Sequence, residues 1–260
     1  MDVAIRTRAL QWISAIVVLL IAGEMWTRFA SDSIFFPQPS EVIEASWDRY
    51  IVGSGISEDV LPSLWRFTRG WWLAVAFGIA VGLLLGLVPM AKAFVNPLIQ
   101  FGRAIPPPLV LGAFLILFGT DDAPKVFLIA FGSVWPVLFN TMAAAASVHP
   151  AAVDTARAFG KSRSTIITKV TLPSIAPQIV AGMKVSLSIG LILMVLTEFV
   201  GARDGLGFAL IRAQRSFALV DMWASLLVLA ILGLMMNVVL ILVERRALAW
   251  HRGQKGQLGV

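Results

Sequence analysis

Four charged residues, Glu24, Arg103, Lys184 and Glu198, lie within or at the ends of long apolar runs. A charge at the centre of a bilayer costs about 2.5 to 3.5 kcal/mol on insertion scales, so such residues face a bundle interior, pair, or snorkel to the interface. Glu24 and Glu198 fall near one set of run ends. Arg103 and Lys184 fall near the other, where snorkelling alone would account for them. Arg103 is followed by Pro106, Pro107 and Pro108, which must break a helical hydrogen-bond ladder. Broken helices at membrane depth are tolerated where protein or a water-filled cavity surrounds them. Pro136 and Asn140 make a weaker version of the same argument. These residues suit the passage of a polar solute, and they give a candidate path of Arg103, Pro106, Pro107, Asn140, Lys184 and Glu198. Plain bends and structural ion pairs are the competing roles.

Bond-making chemistry finds no comparable set. Gly160-Lys161-Ser162 looks like the end of a phosphate-binding loop, but that motif needs glycine where Thr155 stands. The chain is therefore not expected to bind ATP. His149 and His251 have neither cysteine nor a carboxylate cluster around them, so no metal site or cofactor is expected, and a surface or capping role suits both.

The elements that must position these residues are membrane helices. The chain has 260 residues, 58% hydrophobic and 14% charged, with a mean hydropathy of +0.84, too apolar for a soluble domain of this size. Runs without charge extend from Ala9 to Gly23, Gly70 to Ala91, Ala104 to Thr120, Val126 to Val148 and Met222 to Val243, and a further run from Ile175 to Val200 is interrupted by Lys184 and Glu198. Since about 20 residues cross the hydrocarbon core, the expectation is an all-α polytopic protein with six spanning helices, one transmembrane domain over residues 1–260. Arg6 and Arg8 precede the first run, but Glu24-Met25-Trp26 follow it without a small-residue cleavage site, which favours an uncleaved anchor.

Orientation follows from the basic residues. Both termini inside places Arg6, Arg8, Lys92, the loop of residues 149–173 and the tail with Arg245, Arg246, Arg252 and Lys255 in the cytosol. It leaves residues 31–59 outside, with Arg66 and Arg69 counted there too. The net charge of +6 then reads as membrane topology, and no nucleic-acid partner is expected.

The loop of residues 149–173 is a charged island between two apolar runs. Pro150 can open a helix, Ala151, Ala152, Ala156 and Ala158 favour it, and Gly160 supplies a left-handed stop. A helix of about three turns at most is marginal alone, so it is expected to lie against a partner, with a cytosolic groove the obvious candidate.

The same residues resemble the cytoplasmic loop of permease subunits of binding-protein-dependent ABC importers. That loop reads Glu-Ala-Ala, three residues, Gly, nine residues, then Ile, any residue, Leu-Pro. Here Asp154-Thr155-Ala156, Gly160 and Val170-Thr171-Leu172-Pro173 keep the spacing, with Asp for Glu, Thr for Ala and Val for Ile. The resemblance implies a type I importer permease whose coupling helix seats in a separate ATPase subunit. Val153, Asp154, Thr155, Ala156, Ala158, Phe159, Gly160, Leu172 and Pro173 would be the coupling residues. It also implies a homodimeric pore, an external substrate-binding protein, ATP and Mg held by the ATPase partner, and a bacterial inner membrane with its lipid as surroundings.

Two further stretches support the branch that handles nitrate, sulfonates, taurine and bicarbonate. One is Phe35-Phe36-Pro37-Gln38-Pro39-Ser40, where Ser40 is expected to cap a helix with Glu41 and Glu44 in its first turn. The other is Glu198 to Gly207. For an anionic solute, Arg103 is the best of the path candidates. Gly70, Ala74, Gly78, Gly82 and Gly86 recur at every fourth residue and predict close helix packing. Residues 201–221 read as a loop and short amphipathic helix, with Arg212 and Arg215 on one face. The rival from another class is a proton-coupled secondary transporter in which Glu24 or Glu198 titrates, but the repeated halves common in such proteins are not found.

Overall fold

The computed structural model describes residues 2–29 and 34–249, without the side chains of residues 2–13 and of Ile16. Arg6, Arg8, His251, Arg252 and Lys255 therefore lie outside the described side chains, as do six of the fifteen residues of the first expected run, Ala9 to Gly23. In chain order the helices are α1 (Asp2–Phe29), α2 (Pro39–Trp47), α3 (Leu61–Leu87), α4 (Pro89–Ala104), α5 (Pro107–Phe118), α6 (Asp122–Ala146), α7 (Pro150–Ala158), α8 (Arg163–Ile166), α9 (Leu172–Phe199), α10 (Leu206–Arg215) and α11 (Leu219–Ala247). Wider π turns occupy Asp48–Val52, Ile56–Val60 and Ile167–Thr171. No strand occurs among the described residues.

Among the described residues, four continuous helical segments are long and apolar enough to cross a membrane: Ile56–Leu87, Asp122–Ala146, Arg163–Phe199 and Leu219–Ala247. The run expected from Ala104 to Thr120 is not one straight span. It is the second arm of a pair, α4 and α5, bent by 95°. Ile105 leaves the helix at φ −74°, ψ 119°, Pro106 is the N-cap of α5, and Pro107 and Pro108 open it. Proline at those first positions removes only N–H groups that no helix would have paired, so the triplet starts a new helix. At 12 residues, α5 rises only about 18 Å, well short of a bilayer core of about 30 Å.

The chain divides into two compact units, Met1–Leu61 with Asp204–Ile231 and Pro62–Arg203 with Leu232–Val260. In the first, Ser40 does not cap α2, as the sequence suggested; Gln38 is the N-cap, and Glu41 Oε2 accepts from the Gln38 N–H at 3.3 Å. Ser40 lies inside the helix and donates its N–H and hydroxyl to the Glu24 carboxylate at 3.1 and 3.0 Å. Pro39 takes the first helical position, so the cap falls at Gln38, two residues before Ser40. Buried Tyr50 donates to Ser225 Oγ at 3.1 Å, and burial pushes its phenol above the usual tyrosine range. Arg49 places Nε and Nη2 on one oxygen of Asp59, at 3.0 and 2.7 Å. In α10, Leu206, Ala209 and Ala213 are buried, and Arg212 lies over the Phe208 ring at 5.5 Å.

In the second unit, α6 and α9 pack along their lengths, with Ser186 Oγ donating to the Ser133 carbonyl at 2.7 Å. The glycine strip of α3 lies against α6, as its spacing predicts. A Cβ on Gly82 would stand 2.7 Å from the Leu138 carbonyl oxygen, and one on Gly86 2.6 Å from Ala145 Cβ and from the Met142 carbonyl oxygen. Close backbone approach drives association where lipid supplies no hydrophobic contrast. Gly82→Val should therefore force the helices apart and cost about 1 to 3 kcal/mol, read as a lower unfolding temperature in detergent. Gly112→Ala, whose added Cβ meets nothing within 4 Å, should change little.

Candidate coupling and transport site

Helix α7 is built from local signals. His149 is its N-cap, with Nδ1 accepting from the Ala151 N–H at 3.3 Å, and Pro150 holds the first helical position. At the other end Gly160 has φ +67°. The Gly160 N–H reaches the Arg157 carbonyl at 2.8 Å and the Lys161 N–H reaches that of Ala156 at 3.1 Å, the paired bonds of a Schellman stop. No residue of the nine-residue helix is buried, and Phe159 beyond it is 76% exposed. Asp154 meets Arg157 at 3.3 Å, both about two-thirds exposed. Thr155 spends its hydroxyl on the Ala151 carbonyl at 2.7 Å. A short helix capped at both ends, with little of its own fold behind it, presents Asp154 and Phe159 to whatever lies beyond. Val170, Leu172 and Pro173 belong to the return path, Pro173 within the first turn of α9.

The path candidates do not form one cluster. Arg103, in the last turn of α4, sets its guanidinium 5.2 Å from the centroid of Phe139, next in sequence to Asn140. Asn140 turns its amide back on α6, donating to the Pro136 carbonyl at 2.8 Å. Pro107 packs over Gly132, where an added Cβ would lie 3.3 Å from its Cγ. Lys184 is paired with Glu244 at 2.7 Å. Glu198 sits about 21 Å further along α9 by helical rise, and it is fully buried.

Around Glu198 the structure assembles a network that the sequence reading missed. Arg66, counted there as external, is buried in α3 and bridges Glu198 Oε1 at 3.0 Å and Asp122 Oδ1 at 2.6 Å. Ser63 Oγ donates to the Glu198 carboxylate, 2.8 Å from both oxygens. Lys125 Nζ stands 3.6 Å from Asp122 and donates to the Asp121 carbonyl at 3.1 Å. Paired charges explain how α3 continues through Arg66, since each buried ion gains a partner. The signal available was Glu198 itself, because a carboxylate inside an apolar run demands a cation from another helix. Among the described residues no group of three or more His, Asp or Glu is placed to hold a metal ion.

Comparison with known proteins agrees with this architecture. The family model described as "binding-protein-dependent transport system inner membrane component" matches residues 74–247. A probable ABC transporter permease protein of Brucella abortus (strain 2308) is 31% identical over 88% of this chain and 91% of its own length. The taurine transport system permease protein TauC of Escherichia coli (strain K12) is 28% identical over 90% of this chain and 87% of its own. Among solved structures, a chain of the MetNI methionine ABC transporter in an inward-facing conformation superposes with a TM-score of 0.64 at 18% identity, covering 77% of this chain and 97% of that one, which speaks to the fold. The span of the family match, across the glycine strip, the broken pair, α7 and α9, shows that this chain belongs to the inner membrane components of binding-protein-dependent transport systems, the permease subunits of ABC transporters.

Proposed function

We propose that the chain is the pore-forming half of an ATP-driven importer, bringing a small anionic solute from an external binding protein into the cytoplasm. Two copies would form the pore, and two separate ATPase subunits holding ATP and Mg would each receive one α7. The membrane would be the bacterial inner membrane, with both termini cytosolic. The observation that carries this reading is α7 itself: a nine-residue helix with no buried residue, fixed at both ends and tipped by an exposed Phe159. Such a helix transmits force only if something grips it. ATP binding would then favour one permease conformation by its differential affinity for the two. The path for that force is short, since Ala146 ends α6 four residues before Pro150 and α8 continues through the π turn Ile167–Thr171 into α9.

The coupling role is tested with Asp154→Lys. Reversing the carboxylate places a third cation beside Arg157 and Lys161 on the docking surface, so stimulation of ATP hydrolysis by the binding protein should fall several-fold while membrane insertion is kept. Full stimulation in that variant would refute the role.

The choice of an anionic solute rests on the taurine relative and on Arg103, exposed beside the α4–α5 break. Taurine carries a sulfonate, and a guanidinium is suited to such oxyanions. Arg103→Gln should reduce uptake about tenfold or more while assembly with the ATPase and basal hydrolysis survive. Equal loss of assembly and uptake would make Arg103 structural, and unchanged uptake would remove it from the path.

A further inference from the structure

Opposite its glycine strip, the last turns of α3 carry Ala80, Leu83, Leu84 and Leu87 at helical spacing, and these wall a cavity of about 560 Å³. That volume falls within the range of about 300 to 1,000 Å³ typical of small-ligand sites. Ile166 and Ile167 close it from the far side. Leu84 and Leu87 are themselves exposed, 55% and 38%, so the apolar wall is continuous with the outer surface of an apolar span that ends at Leu87. The lining holds two charged residues, Arg157 of α7 and Arg163 of α8. Arg157 shares the exposed Asp154 at 3.3 Å. Among the described residues no carboxylate lies within ion-pair distance of Arg163, which is exposed.

We infer that this cavity is a site for one anionic phospholipid, with an acyl chain along Leu83, Leu84 and Leu87 and its phosphodiester between Arg157 and Arg163. Both halves of the ligand are required by the lining. A wall of leucine and isoleucine at the end of a membrane span takes hydrocarbon, and cations at headgroup depth take a phosphate. A protein segment would instead have to bring both an apolar face and carboxylates to the edge of the bilayer. The inference rests on α3 spanning a membrane and needs neither leaflet to be specified. It also puts a lipid against α7, so the occupant would brace the base of that helix.

The test is native mass spectrometry of the full chain in a neutral detergent, titrated with phosphatidylglycerol, with phosphatidylcholine of the same acyl chains, or with glycerol phosphate. One phosphatidylglycerol should be retained on the order of tenfold more strongly than phosphatidylcholine, and glycerol phosphate should not displace it. Arg157→Gln with Arg163→Gln should abolish the preference. Leu84→Trp, with both arginines intact, should fill the cavity and release the lipid, which guards against a fold defect in the double variant. Equal retention of the two lipids, displacement by glycerol phosphate, or an unchanged preference in both variants would overturn the proposal. No ATPase or binding protein takes part, so the result is separable from the coupling role of α7.

Discussion

Arg66→Leu should destabilise the folded protein by about 3 to 5 kcal/mol, the usual cost of removing one partner from a buried ion pair. The variant removes the guanidinium that stands 3.0 Å from the Glu198 carboxylate, whose residue has 0% exposure, so a buried charge loses its cationic partner on α3. Asp122 is 41% exposed and keeps Lys125 at 3.6 Å, so it tolerates the loss better. The measurement is thermal unfolding of the purified chain in detergent, together with the yield of membrane-inserted protein. Arg66→Leu combined with Glu198→Leu should recover much of the loss, because two apolar groups of similar volume need no partner. If the single variant unfolded at the wild-type temperature, the network would not hold α3 to α9. If the double variant were worse than the single, the carboxylate would have a role beyond pairing.

Gly160→Val should leave the bundle intact and disable α7. Its Cβ would meet nothing within 4 Å, but the backbone sits at φ +67°, where an L-residue costs about 1 to 2 kcal/mol and a β-branched one more. The two hydrogen bonds that stop the helix depend on that conformation. A helix of nine residues has no reserve of its own stability. Co-purification with the ATPase should fall about tenfold or more, while the unfolding temperature of the permease barely moves. Gly160→Asn supplies the discriminating control, because asparagine tolerates the left-handed region and should retain most of the binding. Loss in both variants would implicate the space around Gly160, and loss in neither would remove the stop from the mechanism.

These two sites mark where sequence reading succeeds and where it stops. Pro150, the run of alanines and Gly160 define α7 because capping is local chemistry, settled within a few residues. The glycine strip was legible for a similar reason, since a period of four places Gly70, Gly78, Gly82 and Gly86 on one face whatever helix comes to meet them. The partner of Glu198 was not legible. Arg66 lies 132 positions away in the chain, and its charge pointed the reading toward an external loop. Pairing inverted that inference, since a cation beside a buried carboxylate belongs in the bundle. The proline triplet announced a break but not its 95° angle, which depends on what packs against each arm. Ser40 was displaced from its expected cap by Pro39, one residue earlier, and its hydroxyl went to Glu24 on another helix.

In the proposed mechanism, ATP on partner subunits drives transport through this chain. The direct measurement is uptake of radiolabelled taurine, as a representative sulfonate, or of nitrate, into proteoliposomes containing the permease, its ATPase and its binding protein. Uptake should require ATP inside and binding protein outside, be lost with Gly160→Val, and survive collapse of the proton gradient. Uptake by the permease alone, driven by an imposed proton gradient and abolished by Glu198→Gln, would contradict this mechanism.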